Sequence, residues 1–260
     1  MVADVQKCPG LGGLMPKATP QVSLVIPAWN EAELLGRTLD NLRQACDGLS
    51  ASYEIIVVDN DSDDDTPDIA RAAGAVVVHE PVRRIARARN AGAKVARGHW
   101  LIFVDADTWP SRALLRASLD ALASGEVCAG GARLEFDHLE YGFYRLGSRF
   151  WNGLSLRLGL VAGCYVFCTR EAFQAVGGFS EKVYAGEEVF LSRRLKGWGR
   201  RRGQRFYVLP EPTVRTSGRK AQWFSPWQHF LVTATVLLVP FALRSRRLTW
   251  FWYRRPTQKP

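Results

Sequence analysis

At 260 residues, with 47% hydrophobic and 23% charged side chains, the chain is long enough for one large domain and too apolar to be disordered. Its net charge of +10 is unevenly spread: Arg193 to Pro260 hold 16 Lys plus Arg against Glu211 alone, which leaves 19 basic and 24 acidic residues in the rest. A basic end on an acidic body directs that end to an anionic surface or ligand. The five cysteines, Cys8, Cys46, Cys128, Cys164 and Cys168, are odd in number and lack CxxC spacing, which argues against a disulfide framework or a zinc finger and for reduced packing residues.

Residues 1–20 have only Lys7 and Lys17 as basic residues and no apolar run of signal-peptide length. They are expected to form a flexible tail ahead of a cytoplasmic catalytic domain over 21–220. Val22–Pro27 is a short apolar run closed by proline, hence a buried strand. Leu34, Leu35, Leu39 and Leu42 form a helical stripe within Glu31–Leu49, and Tyr53–Asp59 is a second buried strand that ends in acids. A helix over Thr66–Ala73, a strand over Ala75–Val78, a helix over Arg87–Val95 and a strand over Trp100–Val104 follow. The second half is less regular, with strands expected at Val127–Leu134 and Gly163–Cys168, and helices at Tyr141–Leu158 and Glu187–Trp198.

Near-continuous apolar strands alternating with helices imply an α/β fold, a mostly parallel central sheet flanked by helices. Ligands of such sheets sit beyond the carboxyl ends of the strands. Three strand ends here carry polar residues: Trp29-Asn30-Glu31, Asp59-Asn60-Asp61 and Asp105-Ala106-Asp107. One acidic strand end is often only a solvated turn; three of them together argue for a shared crevice.

Asp105 and Asp107, one residue apart just past a buried strand, are suited to a hard divalent cation, Mn2+ or Mg2+, that also takes phosphate oxygens. Asp59 is placed to accept a hydrogen bond from a nucleobase, whereas Asp63 to Asp65 read as a loop capping a helix. Arg89 and Asn90, where a loop enters a helix, offer a phosphate environment. Glu187 and Glu188, opening another helix, either complement its dipole or supply a base.

Together these segments, over Val22 to Trp198, resemble the family 2 glycosyltransferases of the GT-A fold, a Rossmann-like nucleotide-diphospho-sugar transferase architecture. The resemblance implies that Pro27, Ala28, Asn30 and Glu31 contact the nucleoside and that Asp59 and Asp61 read the base. It implies further that Arg89 and Asn90 lie beside the diphosphate, with Asp105, Ala106 and Asp107 as the metal motif. Glu188 falls at the catalytic base beside Glu187, where the family more often has Asp, and Arg219 falls in a basic loop near the diphosphate. The implied reaction is an inverting, metal-dependent transfer from a nucleotide-sugar, UDP-sugar favoured, to an unknown acceptor that a lipid could carry. The processive QxxRW motif is absent.

Residues 221–260 are expected to form a basic, aromatic, amphipathic helical extension. Phe230–Leu243 is a 14-residue, mostly apolar run, short of the about 20 needed to span a bilayer. Tryptophans and arginines flank it, which suits an interfacial helix over 223–255 on an anionic membrane, peripheral on the cytoplasmic face; a helix packed on the domain is the alternative. A sugar-1-phosphate nucleotidyltransferase is disfavoured because Pro27-Ala28-Trp29-Asn30 replaces its glycine-rich loop. A non-catalytic membrane- or anion-binding protein leaves the acidic strand ends unexplained, and nucleic acid is not expected as a partner.

Overall fold

The computed structural model describes residues 19–138 and 142–219, together with Trp223, Ser225, Trp227, Gln228, Leu231, Thr235, residues 242–249 and Tyr253. The first half alternates as expected: β1 (Val22–Ala28), α1 (Ala32–Cys46), β2 (Tyr53–Asp59), α2 (Thr66–Ala72), β3 (Val76–His79), α3 (Ile85–Val95) and β4 (Trp100–Val104). β1 pairs in parallel with both β2 and β4, and β2 with β3. β1 is buried at every position because α1 covers one face of the sheet and α3 the other. β3 departs from the buried pattern: it is an edge strand whose Val76 is exposed.

The chain then adds β5 (Thr108–Trp109), α4 (Arg112–Ala123), β6 (Val127–Phe136), α5 (Gly142–Leu158), β7 (Tyr165–Thr169), α6 (Arg170–Ala175), α7 (Glu187–Arg200) and β8 (Arg205–Thr216). One eight-stranded sheet results, in the order β3-β2-β1-β4-β7-β6-β8-β5. β7 is antiparallel to β4 and β6, β8 is parallel to β6, and β5 is antiparallel to β8. No element is expected from the sequence at β5, α4, α6 or β8. For α4 the signal was present: Leu114, Leu115, Leu119 and Leu122 make a buried stripe, and Ser111 accepts the Leu114 N–H at 3.1 Å as its cap. For β8 it was not, because Pro210, Glu211 and Pro212 interrupt the apolar pattern.

Most of the expected C-terminal helical extension lies outside the described residues. The part described packs on the domain: Ala242 and Thr249 are buried, the Leu243 carbonyl accepts the Tyr184 N–H at 2.6 Å, and the Tyr253 hydroxyl donates to the Tyr184 carbonyl at 2.7 Å. Among the described residues no helix is long and apolar enough to cross a membrane. Cys46, Cys128, Cys164 and Cys168 are free, and burial pushes all four thiols up, keeping them protonated. Cys8 lies outside the described residues.

Candidate active site

The ends of β1, β2 and β4 meet beyond the carboxyl edge of the parallel strands. Asn30 and Asp61 both adopt positive φ, 52° and 67°, which turns the chain sharply after β1 and β2. The two turns are stitched together. Ser62 Oγ accepts the Asn30 N–H at 3.0 Å, Asn30 Oδ1 accepts the Asp63 N–H at 2.8 Å, and Asp59 Oδ1 accepts the Ser62 N–H at 3.1 Å. Asp59 is buried and its second oxygen lies 3.1 Å from His79 Nδ1. Asp61 pairs with Arg83 Nε at 2.9 Å, and that guanidinium also holds Asp63 and lies over the Trp29 ring. Asp64 accepts from Thr66 N at 3.0 Å and from Ala32 N at 3.2 Å, tying the starts of α1 and α2.

The crevice is crossed by a chain of charges, Glu31, Arg219, Asp107, Asp105, Arg89, Glu187, in which each arginine bridges two acids. Arg219 Nη2 donates to both Glu31 and Asp107, the second at 3.1 Å. Arg89 Nη2 donates to Asp105 at 2.7 Å and to the Gly163 carbonyl at 2.7 Å, and its Nη1 donates to Glu187 at 2.5 Å. Pairing of β5 with β8 brings Arg219 into place. Thr108 lies opposite Thr216, their hydroxyls are 2.8 Å apart, and the Ser217 N–H donates to the Asp107 carbonyl at 3.0 Å. Glu31 and Arg219, both expected around the donor, stand 188 positions apart, and their contact follows from the fold rather than from any local pattern.

Arg89 differs from its expected role beside a diphosphate. It is 1% exposed and committed to two carboxylates and a carbonyl, so it holds acids in position rather than facing the solvent side of the crevice. Its charge is secured, because Asp105, Glu187 and Glu188 outweigh the desolvation that would depress it. Asn90 is likewise occupied: Nδ2 donates to the Phe179 carbonyl and Oδ1 accepts the Phe179 N–H, at 3.0 and 2.9 Å. Gly178 permits that clamp, since its φ is +66° and a Cβ would sit 2.7 Å from Asn90 Oδ1. Ala28, at the end of β1, and Ala106, in the turn after β4, are buried, and their carbonyls accept from Asn60 N–H and Thr38 Oγ1. They fix the turns through the backbone, as does Pro27 within β1.

Glu187 and Glu188 open α7 after Gly186, which sits at φ +72°. Burial pushes the Glu187 carboxyl up, and the Arg89 ion pair works against that. Glu188 has no side-chain hydrogen-bond partner among the described residues; burial and the neighbouring Glu187 charge, opposed by a backbone hydrogen bond, push its carboxyl up to about 8. A Cβ at Gly163 would be 3.3 Å from Arg89 and 3.5 Å from Glu188. A carboxyl held by no arginine, poised near neutral pH beside an acid-lined crevice, is equipped to take a proton from a hydroxyl.

Asp105 and Asp107 each give one oxygen to an arginine and keep one. Among the described residues no group of three or more His, Cys, Asp or Glu is arranged around a metal position. Two carboxylates with substrate oxygens and water completing the shell fit Mn2+ or Mg2+, which are held by one or two carboxylates plus phosphate rather than by an all-protein cage.

The family model described as Glycosyl transferase family 2 matches residues 23–176. Glycosyltransferase AglE of Haloferax volcanii is 25% identical over 198 residues, 71% of this chain and 64% of that protein. The chain thus spans just under two thirds of that relative's length. Among solved structures, the mannosyltransferase PcManGT from Pyrobaculum calidifontis, in complex with GDP-Man and Mn2+, aligns with TM-score 0.60 at 25% identity, covering 88% of this chain and 68% of that one. Glucosyl-3-phosphoglycerate synthase from Mycobacterium tuberculosis, in complex with Mn2+, UDP and phosphoglyceric acid, aligns with TM-score 0.58 over 85% of this chain and 78% of that one. Its 22% identity speaks to the fold alone, which is GT-A.

Proposed function

This chain belongs to glycosyl transferase family 2, and from that premise we propose that it moves a sugar from a nucleoside-diphosphate donor to an acceptor hydroxyl with inversion. The observation that carries the reading is the charge chain from Glu31 to Glu187, with Glu188, which no arginine holds, beside it. Asp105 and Asp107 hold a divalent cation, Mn2+ or Mg2+, which when bound supplies positive charge against a departing diphosphate. Arg219 steadies the same diphosphate: its Nε and Nη1 are buried without a hydrogen-bond partner among the described residues and are available to phosphate oxygens. The Asp59, Asp61 and Asn30 turns bracket the nucleoside, a UDP-sugar being favoured although a GDP-sugar donor in PcManGT keeps that choice for experiment. Glu188 accepts the proton of the attacking hydroxyl as the oxygen approaches the anomeric carbon. Glu187 and Arg89 set the position of that base and of Asp105.

Thermal-shift titration with UDP-, GDP- and dTDP-sugars in the presence of Mn2+ tests the reading. One donor is expected to raise Tm only when metal is present, and Asp107→Asn is expected to weaken that donor by about 100-fold or more, since even outer-shell partners of a metal are worth 10–100-fold. No metal-dependent stabilisation by any donor would overturn the assignment.

A pH profile tests the base. A carboxyl raised to about 8 is protonated below that value, so kcat/KM is expected to climb about tenfold per pH unit toward 8 and level off above it. Glu187→Gln is expected to move the limb to lower pH, because it removes the neighbouring negative charge that raises Glu188; an unmoved limb would take Glu188 out of the role. The basic end over 223–255 is assigned to an anionic membrane surface, which gives the enzyme a peripheral position on the cytoplasmic face.

A further inference from the structure

One face of α5 is fixed inward. Asn152 donates to the Leu134 carbonyl at 2.9 Å and accepts the Leu134 N–H at 3.0 Å, and Ser155 Oγ donates to the Leu160 carbonyl at 2.5 Å. Those bonds turn the opposite face out. It carries Leu146 and Phe150, 69% and 73% exposed and four residues apart, so that they stand one above the other. Leu156 and Leu158 are exposed beyond them. From Gly142 to Leu158 the helix has Arg145, Arg149 and Arg157, all exposed, and no Asp or Glu. Single exposed apolar residues need no explanation. A stacked leucine–phenylalanine pair flanked only by arginines does, because water solvates the apolar half poorly and no carboxylate of the helix balances the rest.

We propose that the outer face of α5 docks on an anionic bilayer, with Leu146 and Phe150 entering the headgroup boundary and Arg145, Arg149 and Arg157 meeting lipid phosphates. The charge selects the partner. An apolar face rimmed by cations alone matches the interfacial-helix pattern, in which apolar burial and attraction to anionic lipid act together. This surface is separate in sequence from residues 223–255 and needs no contribution from them.

The placement has a consequence for the acceptor. Arg145 and Arg149 also line a groove of ≈ 590 Å3 between α5 and the ends of β6 and β8, with Arg133, His138 and Asp137. Asp137 accepts the Gly218 N–H at 2.9 Å, one residue from Arg219, so the groove borders the Arg219 end of the crevice. An acceptor carried on a lipid headgroup would approach from that end. This consequence rests on the proposed transfer reaction; the docking does not.

Co-sedimentation of the full chain with phosphatidylcholine vesicles, with and without phosphatidylglycerol, reads the docking. Binding is expected only to the anionic vesicles. The pairs Leu146→Ser with Phe150→Ser, and Arg145→Gln with Arg149→Gln, are each expected to lower the partition coefficient by roughly tenfold or more. The Mn2+-dependent donor shift in Tm, measured on the same variants, is expected to stay at the wild-type value and shows that they fold. The proposal is overturned by a wild-type chain that ignores anionic vesicles, or by either pair binding as wild type does, as when residues 223–255 carry all the attachment. A dimer seen by light scattering without lipid, and lost in the Leu146→Ser, Phe150→Ser pair, overturns it in favour of a second copy. Absence of any donor shift in the wild type would instead defeat the transferase reading and leave the docking result standing.

Discussion

Replacing Glu188 by glutamine is expected to lower sugar transfer by about 10²–10⁴-fold, the range in which a general base contributes. Donor binding, read by metal-dependent thermal stabilisation, is expected to stay within about twofold of wild type. Glutamine keeps the shape of the side chain and removes only its ability to accept a proton. The Glu188 carboxyl bonds to no other side chain among the described residues, and the backbone N–H that it accepts can still be met by the glutamine amide oxygen. The separation matters: a residue that merely supports α7 would lose stability and donor affinity together with rate. Transfer near the wild-type rate in a folded Glu188→Gln variant would require a different base. Neighbouring Glu187 is a poor replacement, since its carboxylate is 3% exposed and held by Arg89.

The second large effect is on stability. Arg89→Met is expected to cost about 3–5 kcal/mol, because removing one partner of a buried ion pair strands the others without compensation. Here the stranded groups are Glu187 and Asp105, with Glu188 close by. For a domain of this size the loss corresponds to a fall in Tm of roughly 10 °C. Its pH dependence distinguishes charge from packing. Burial raises the Glu187 carboxyl above its unfolded value, and without Arg89 only a backbone hydrogen bond opposes that rise. A raised carboxyl makes the folded state hold more protons, so stability is retained below the ordinary carboxylate range and lost as pH climbs through the raised value. The Arg89→Met penalty is therefore expected to be smaller at pH 5 than at pH 8. An equal penalty at both would mean that the guanidinium only fills space.

Much of this was legible in the sequence, for a reason visible in the particular elements. β1, β2 and β4 are runs of apolar residues buried on both faces of a parallel sheet, so each strand announces itself locally and its end marks the ligand edge. Asp105 and Asp107 follow β4 directly, and Glu187 and Glu188 open a helix; neither placement depends on a distant partner. β8 escaped because its identity comes from pairing with β6 and β5 rather than from its own interrupted pattern. The Arg219 contacts escaped with it, since the end of β8 is what carries that residue to Asp107 and Glu31.

The sequence by itself determined the αβ alternation, the acidic strand ends and the family to which they belong. Side-chain chemistry at a strand end is written within a few residues, so one dimension suffices to read it. Tertiary structure decided what each charge does. Arg89 reads locally as an arginine where a loop enters a helix, yet it is buried, because α3 turns it toward Asp105 and α7 brings Glu187 against it. Burial sets whether an arginine is a ligand for substrate or a brace for acids, and burial is fixed by elements almost a hundred residues apart. The same holds for Glu188, which is the same residue type as its neighbour Glu187 but is half-buried where Glu187 is buried, and is held by no arginine.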